Sequence, residues 1–212
     1  VTDPPAGYLA ELKDLVNGHG ALLVFDEIIT GFRYALGGAQ ELFGVSPDLA
    51  AFGKAMGNGM PISAIVGRAD VMDEMEEVFY SCTFGGETLS LAASIAVIDK
   101  MRREPVIEKL WQTGADLAEG TTARIAEYDL SDVIAMNGKD CWKVLAFADH
   151  PKARKEAVKT LFMREMHARG VLIAGSHNVN YAHDGTDMAR VFGAYDAVLA
   201  LIAEELETGK LE

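Results

Sequence analysis

Two charged side chains each follow a short apolar run, in positions where charged groups can do chemistry. Asp26 ends the run "ALLVFD", and Lys54 follows "DLAAFG". Short continuous apolar runs are typical of strands buried in a parallel sheet, and open α/β sheets bind ligands at the carboxyl ends of such strands. We therefore expect both side chains at the ligand-binding edge of one sheet.

Lys54 lies in the stretch "FGKAMGNGMP", surrounded by glycines and apolar residues. No acidic residue lies between Asp48 and Asp70. An amine that is poorly solvated and has no counter-ion favours its neutral form, and a neutral amine can form a Schiff base with an aldehyde. The alternative is an exposed loop lysine, which is the commonest environment for this residue type.

Asp26 has an ordinary interpretation and a functional one. A carboxylate at the end of an apolar strand is costly to bury unless it meets a cation or a hydrogen-bond donor. A helix cap or a loop salt bridge would satisfy it, and so would a buried positive nitrogen. Ile28 lies two residues further on, so in an extended strand it points to the same side. An acid beside this β-branched surface would suit a flat, charged heterocycle.

The stretch "SCTFGGETLS" is the third candidate. Thr83 and two glycines lead into a predicted helix that begins near Glu87. Free backbone amides and a hydroxyl beside a helix start can bind an anion. An ordinary capped helix is the alternative interpretation.

The bulk properties exclude several classes of function. The formal net charge of −13 argues against a nucleic-acid surface or an anionic membrane partner. The five histidines show no i,i+4 pair and no Cys/His metal spacing, so we expect no metal site. The apolar runs are far shorter than the ~18 residues of a membrane helix. The two cysteines show no framework pattern, which favours a reducing compartment and hence the cytoplasm.

The remaining patterns predict an α/β chain of two parts. Strands are expected at "ALLVFDEI", "DLAAF" and "ISAIVG", and a long helical region after Glu87 is interrupted at Pro105. Beyond it, two strands flank the turn signal Asn137–Gly138, followed by a helix that ends at Gly170 and a closing helix. We predict a boundary near residue 104, between an α/β part and a smaller α+β part.

These motifs together resemble one family. "FDEIITGFR", "PDLAAFGKAMGNGMPISA" and "TFGGETLSLAA" resemble class III (ω-type) pyridoxal-phosphate aminotransferases, and within them the glutamate-1-semialdehyde 2,1-aminomutase-like branch. The lysine follows the acid by 28 residues. The closing "NVNYAHDGTDMARVFGAYDAVL" is also similar to the C-terminal helix region of the family. The resemblance covers nearly the whole chain, but only the second half of the family.

The resemblance implies the α/β fold type I of pyridoxal-phosphate-dependent transferases. Residues 1–104 would form the C-terminal part of the large cofactor-binding domain, and 105–212 the small C-terminal α+β domain. Lys54 would form the Schiff base with pyridoxal 5'-phosphate and then move the substrate proton. Asp26 would pair with the protonated pyridine nitrogen, Ile28 would pack on the ring, and Thr83 would bind the cofactor phosphate of the neighbouring subunit.

The same resemblance implies partners. A homodimer with shared active sites and a small-molecule amino donor and acceptor are expected, and no nucleic acid or membrane. The upstream phosphate cradle and the aromatic residue on the outer ring face have no counterpart in this chain. We therefore expect a fragment of a longer polypeptide that is inactive by itself and requires the missing N-terminal half.

The sequence is compatible with several reactions of this cofactor. "GSHNVNYAH" lacks the carboxylate usual in the aminomutase branch, and "GGE" after Thr83–Phe84 replaces the more usual "GNP". These differences favour a general aminotransferase, with the aminomutase proper as an alternative. A decarboxylase that uses the same cofactor and a non-catalytic remnant of such an enzyme are the further alternatives.

Overall fold

The computed structural model describes residues 2–209 and 211. The chain divides into two compact units, Asp3–Glu108 and Lys109–Glu212. The division falls inside one helix, α5 (Val106–Glu127). The assignment of 1–104 and 105–212 to the two domains of the family stays a prediction.

The first unit alternates short strands with helices, as the apolar runs predicted. Its regular elements are α1 (Tyr8–Gly18), β1 (Val24–Asp26), α2 (Ala39–Phe43), β2 (Leu49–Phe52), β3 (Ala64–Gly67), α3 (Ala69–Met72) and α4 (Thr88–Arg103). Short 3-10 turns cover Lys54–Met56 and Asp73–Glu76. The predicted helix break is at Pro105, because a proline at this position removes a backbone donor and lies directly before the first residue of α5.

The sheet of the first unit has the order β1-β2-β3. β1 runs parallel to β2, whereas β3 pairs with β2 in the antiparallel sense. The expectation of a strand buried on both faces is wrong for β1, because its first residue, Val24, is 57% exposed. Among the described residues β1 pairs only with β2, so this apolar strand is an uncovered edge of the sheet.

A buried carboxylate contacts several elements at the end of the sheet where β2 begins. Asp48, which directly precedes β2, is 2% exposed and accepts hydrogen bonds from Nδ2 of Asn17 at 2.8 Å and from the amide of Leu23 at 2.7 Å. The guanidinium of Arg68, directly after β3, lies 3.1 Å from the same carboxylate. These contacts, the bond from Asn17 first among them, lower the pKa of Asp48 to about 2. One side chain therefore joins α1, β1 and β3 at the start of β2.

The second unit packs helices against an antiparallel sheet. It contains most of α5, β4 (Ile134–Asn137), β5 (Lys143–Phe147), α6 (Lys155–Ala168), β6 (Ser176–His177) and α7 (Gly185–Thr208), with the sheet order β4-β5-β6. Phe162 and Met166 of α6 are fully buried in its apolar core, and the partly buried Met163 packs against it. Asp184 caps α7 and accepts hydrogen bonds from the amides of Thr186 and Asp187.

A polar pair lies inside this second core. Nε2 of His177 is 2.5 Å from the hydroxyl of Tyr195, and both side chains are buried. Burial disfavours a charged ring and lowers the pKa of His177 to about 4. Burial also raises the pKa of Tyr195 above its usual value. The imidazole is therefore neutral in the folded protein at pH 7.

Over the part of the chain that the structure describes, no helix combines the length and the hydropathy needed to cross a bilayer.

Candidate functional site

The two predicted site residues lie at the same edge of the sheet. Asp26 is the register partner of Ala51 on the neighbouring parallel strand. The pairing continues one residue further, because the amide of Glu27 donates to the carbonyl of Ala51 at 2.9 Å. Lys54 follows Ala51 by three residues and begins a 3-10 turn. Both charged side chains therefore leave the backbone at the carboxyl ends of parallel strands, where α/β sheets bind ligands.

Lys54 has an unusual backbone conformation. Its φ of 42° lies in the left-handed region, which residues other than glycine adopt rarely. The preceding Gly53 is buried and extended, with a φ of −170°. Within residues 2–209 and 211, the ammonium of Lys54 has no hydrogen-bond or ion-pair partner. A strained lysine with an unpaired amine is typical of a functional position rather than of an ordinary surface lysine.

Asp26 is held by a local backbone contact. Its Oδ1 accepts a hydrogen bond from the amide of Ile28 at 3.0 Å, and the side chain is otherwise exposed. In the described residues it neither caps a helix nor joins an ion pair. The ordinary interpretations of this carboxylate are therefore not realised, and its second oxygen is available to a ligand.

The Ile28 side chain lies against the backbone beside Lys54. A Cβ placed on Gly53 would lie 3.6 Å from Cγ2 of Ile28 and 3.9 Å from Cβ of Ser63. Phe52, at the end of β2, packs edge-on against Phe32 with ring centroids 5.8 Å apart. Ile28 and the ends of the parallel strands therefore form an apolar surface next to two charged groups.

Thr83 lies beside the same region. It is exposed and lines a cavity of about 360 Å³ together with Pro61, Ile62, Ser63, Tyr80, Cys82, Phe84 and Gly85. Ser63 is also the neighbour of Gly53, so this cavity is adjacent to the lysine turn. The structure thus places Thr83 near the other candidates, and its role in phosphate binding stays a prediction.

The expectation of free backbone amides at the start of α4 is wrong. The backbone amides there are not free, because the carboxylate of Glu87 accepts from the amide of Leu89 at 2.8 Å and from that of Ser90 at 2.7 Å. Hydrogen bonds from Ser90, its hydroxyl first, lower the pKa of Glu87 below its usual value. A side-chain oxygen that accepts from the amides of the first helical turn is the geometry of an N-cap, so Glu87 caps α4.

Sequence reasoning missed Glu27. Its side chain is 1% exposed, although the sequence gives no sign that this acid is buried. Its carboxylate accepts from the amides of Ala39 at 2.7 Å and Gln40 at 2.8 Å, and from the hydroxyl of Thr30. Only a contact between residues 12 apart reveals this role, and no local pattern in the sequence encodes it.

The donor set fits pyridoxal 5'-phosphate. A primary amine, a carboxylate and a β-branched apolar surface converge at one sheet edge, which matches an aldehyde, a ring nitrogen that carries a proton and a flat ring. Gly53 keeps the space beside Ile28 clear, because a side chain there would fill it. Over the residues that the structure describes, no group of three or more histidine, cysteine or acidic side chains could hold a metal ion.

Comparison with known proteins identifies the family. Residues 1–184 match the family model described as aminotransferase class-III. Glutamate-1-semialdehyde 2,1-aminomutase of Methanosarcina acetivorans is 36% identical over 205 residues, which are 91% of this chain and 48% of that protein. The enzyme of the same name from Thermomicrobium roseum is 35% identical over 96% of this chain and 50% of that protein. The chain thus spans about half the length of the curated relatives it matches.

Solved structures agree with this result. The FumI protein of Sphingopyxis sp. MTA144, solved in its PLP internal aldimine form, superposes with a TM-score of 0.85 at 26% identity, over 95% of this chain and 48% of that one. An omega-transaminase from Sphaerobacter thermophilus superposes with a TM-score of 0.83 at 23% identity, over 96% of this chain and 49% of that one, and so shows the fold alone. The predicted family, its cofactor class and fold type I are confirmed. The chain belongs to the class-III aminotransferases, a pyridoxal-phosphate-dependent family, and corresponds to the C-terminal half of its relatives.

Proposed function

We propose that this chain forms the lysine-bearing half of a pyridoxal-phosphate-dependent aminotransferase. The observation that carries the proposal is the common position of Asp26 and Lys54 at the carboxyl ends of β1 and β2. The family assignment supports it, because members transfer amino groups between small molecules. The substrates are an amino donor and an amino acceptor of low molecular weight.

Each residue has a separate task in this proposal. The amine of Lys54 would bind the cofactor aldehyde until the substrate amine displaces it, and the freed amine would then take the proton from the substrate Cα. The carboxylate of Asp26 holds the proton on the ring nitrogen by charge pairing. Ile28 supports one face of the ring. When bound, the cofactor supplies an electron sink for the pair left at the substrate Cα.

Thr83 belongs to a second subunit's site in this proposal. Its hydroxyl binds the cofactor phosphate of the neighbouring copy, so that the catalytic unit is a homodimer with shared sites. This exposed hydroxyl precedes α4, and α4 contacts the turn that begins at Lys54. The arrangement supports a boundary between copies close to the lysine.

The first unit also needs a partner that covers apolar surface. We define the α4 surface as the exposed apolar residues Val78, Phe79, Tyr80, Phe84, Leu89, Leu91 and Ile95. Phe79 is 94% exposed and Ile95 is 63% exposed, whereas Ser90 and Ser94 of the same helix are buried. A helix that exposes its leucines and buries its serines is typical of an interface. The missing N-terminal half and the second copy are the proposed occupants, and the isolated chain is proposed to be inactive.

A second candidate is the aminomutase reaction, favoured by the shared name of the curated relatives. An aminotransferase releases an oxo product and leaves the amino group on the enzyme. An aminomutase returns the amino group to another carbon of the same molecule. The two reactions therefore differ in their products and not in the residues named above.

The test uses this chain co-expressed with the first half of the Methanosarcina acetivorans relative and loaded with pyridoxal phosphate. Release of an oxo acid from an added amino acid, with no acceptor present, supports the aminotransferase. Conversion of glutamate 1-semialdehyde, without an acceptor, into the isomer that carries the amino group on another carbon supports the aminomutase. Release of carbon dioxide overturns both, and failure of the assembled protein to bind the cofactor supports a non-catalytic remnant.

For location, we propose the cytoplasm, on the ground that the two cysteines of the sequence, Cys82 and Cys141, show no framework pattern.

A further inference from the structure

A buried carboxylate lies directly beside the candidate site and is not used by the proposed chemistry. Oε2 of Glu27 accepts from the amide of Ala39 at 2.7 Å and from the hydroxyl of Thr30. Oε1 accepts from the amide of Gln40 at 2.8 Å and from its side-chain amide at 3.5 Å. These donors satisfy both oxygens, which a carboxylate needs when it is removed from water.

The carboxylate joins the two ends of the loop after β1. At one end, its side chain accepts from the hydroxyl of Thr30, and the backbone carbonyl of Glu27 accepts from the amide of Gly31 at 2.8 Å. At the other end, its side chain holds the first residues of α2. Gly38 leaves the space for this contact, because a Cβ there would lie 2.3 Å from Oε2 and its φ is 86°. The loop is therefore built around one acidic side chain.

The turn that Glu27 closes contains the donor to Asp26. Ile28 directly follows Glu27, whose amide pairs with Ala51. It precedes Gly31, whose amide closes the turn by donating to the carbonyl of Glu27. This amide donates to Oδ1 of Asp26 at 3.0 Å. The direction of the Asp26 carboxylate therefore depends on the turn, and the turn depends on the side chain of Glu27.

We propose that Glu27 is a positioning residue that orients the carboxylate of Asp26 through the amide of Ile28. It touches neither cofactor nor substrate. The identity of the group that Asp26 meets rests on the proposed function, but the dependence of the Asp26 contact on Glu27 does not.

The first arm of the test measures amide hydrogen exchange by NMR in the 212-residue chain without cofactor. Glu27→Gln keeps the size of the side chain and removes one acceptor. We expect the amides of Ile28 and Gly31 to exchange about tenfold faster, the effect of losing roughly one hydrogen bond. Glu41→Gln is the matched control, because Glu41 is an exposed acid of α2 that accepts from the amide of Gly37 in the same loop. It should leave both amides unchanged.

Glu27→Gln could destabilise the whole first unit, which faster amide exchange in the β2–β3 strand pair would reveal. A second, milder variant then provides the test. Thr30→Val removes only the hydroxyl donor and should accelerate exchange at Ile28 by a smaller factor. Unchanged exchange at Ile28 in Glu27→Gln, or in Thr30→Val where the first variant unfolds, overturns the proposal.

The second arm measures the dissociation constant of pyridoxal phosphate in the assembled protein. Glu27→Gln should weaken binding about tenfold, whereas Glu41→Gln should change it less than about twofold. Faster exchange at Ile28 with unchanged cofactor binding overturns the role for Asp26. If the wild-type assembly does not bind the cofactor, the proposed function fails, and the exchange arm alone decides whether Glu27 holds the Asp26 contact.

Discussion

The amide of Glu27 donates to the carbonyl of Ala51 at 2.9 Å, which carries the parallel pairing of β1 and β2 one residue beyond Asp26. This bond fixes the relative height of the two strand ends. Because Lys54 follows Ala51 by three residues, its amine leaves the backbone just beyond the level of the Asp26 carboxylate. A cofactor that needs an amine and an acid at its two ends meets both at this edge of the sheet.

Replacing Lys54 should remove covalent attachment of the cofactor. In the assembled protein, Lys54→Ala should abolish the pyridoxal-phosphate adduct that borohydride reduction fixes on the wild-type chain, because no other amine occupies this turn. Mass spectrometry of the reduced, digested protein gives the measurement. Lys13→Ala is the control, since the Lys13 ammonium donates to the Ser46 carbonyl on the surface of the same unit. An adduct that persists in Lys54→Ala contradicts the assignment.

Neutralising Asp26 should slow the reaction more than it weakens the fold. Asp26→Asn removes the charge that holds the ring proton, so turnover should fall by about 10² or more. The melting temperature should change little, because the carboxylate is exposed and accepts one local hydrogen bond. Steady-state kinetics and thermal unfolding measure the two effects, with Asp14→Asn on α1 as the control. Turnover within twofold of wild type would rule out the proposed role.

Asp48 should stabilise the first unit in a pH-dependent way. Its pKa is about 2 in the folded chain against about 3.9 in an unfolded one. The unfolded state therefore binds the proton first, so this contribution is complete above about pH 4 and is lost as the pH falls towards 2. At pH 7, Asp48→Asn should lower the melting temperature by several degrees, and Asp14→Asn should not.

The difference between wild type and Asp48→Asn should shrink between about pH 4 and pH 2. Urea unfolding followed by circular dichroism over this range checks the slope. An equal difference at both pH values would show that the contacts to Asn17, Leu23 and Arg68 do not depend on the charge of Asp48.

His177 should destabilise the second unit as the medium becomes acidic. Its pKa is lowered to about 4 by burial, whereas an unfolded histidine titrates near 6.5. Below about pH 6.5 the unfolded state gains a proton that the folded state does not, so the free energy of unfolding falls by about 1.4 kcal/mol per pH unit down to pH 4. His177→Gln should flatten this slope, and His19→Gln, on the surface, should leave it unchanged. Urea midpoints between pH 7.5 and pH 5 measure it.

The α4 surface should control assembly without controlling the fold of the chain. Ile95 is exposed, so Ile95→Lys should change the melting temperature of the isolated chain little. In the assembly, the same change places a charge in an apolar interface and should weaken association at least about tenfold. Sedimentation velocity with and without the complementary half measures the effect. Asp14→Lys, on an exposed position of α1, is the control for charge alone. Unimpaired assembly of Ile95→Lys would exclude this face as the interface.

Much of the secondary structure could be predicted because its signals are local. The strand before Asp26, the strand before Lys54 and the helix break at Pro105 each follow from apolar periodicity or from the missing donor of proline. The antiparallel direction of β3 could not be predicted, because "ISAIVG" is apolar in either direction. The burial of β1 was predicted wrongly, since its composition fits a covered strand and the described chain provides no cover for Val24.

The sequence by itself determined which residues could do chemistry: an amine among glycines, an acid at a strand end and a hydroxyl before a helix. These are properties of residue type and of near neighbours, and the match to a family rests on them. Only the tertiary structure decided that Glu27 is buried, that Asp48 joins three elements and that Glu87 covers the amides of α4. The reason is physical: an acidic side chain reads as polar in the sequence, and the donors that allow its burial come from wherever the folded backbone places them.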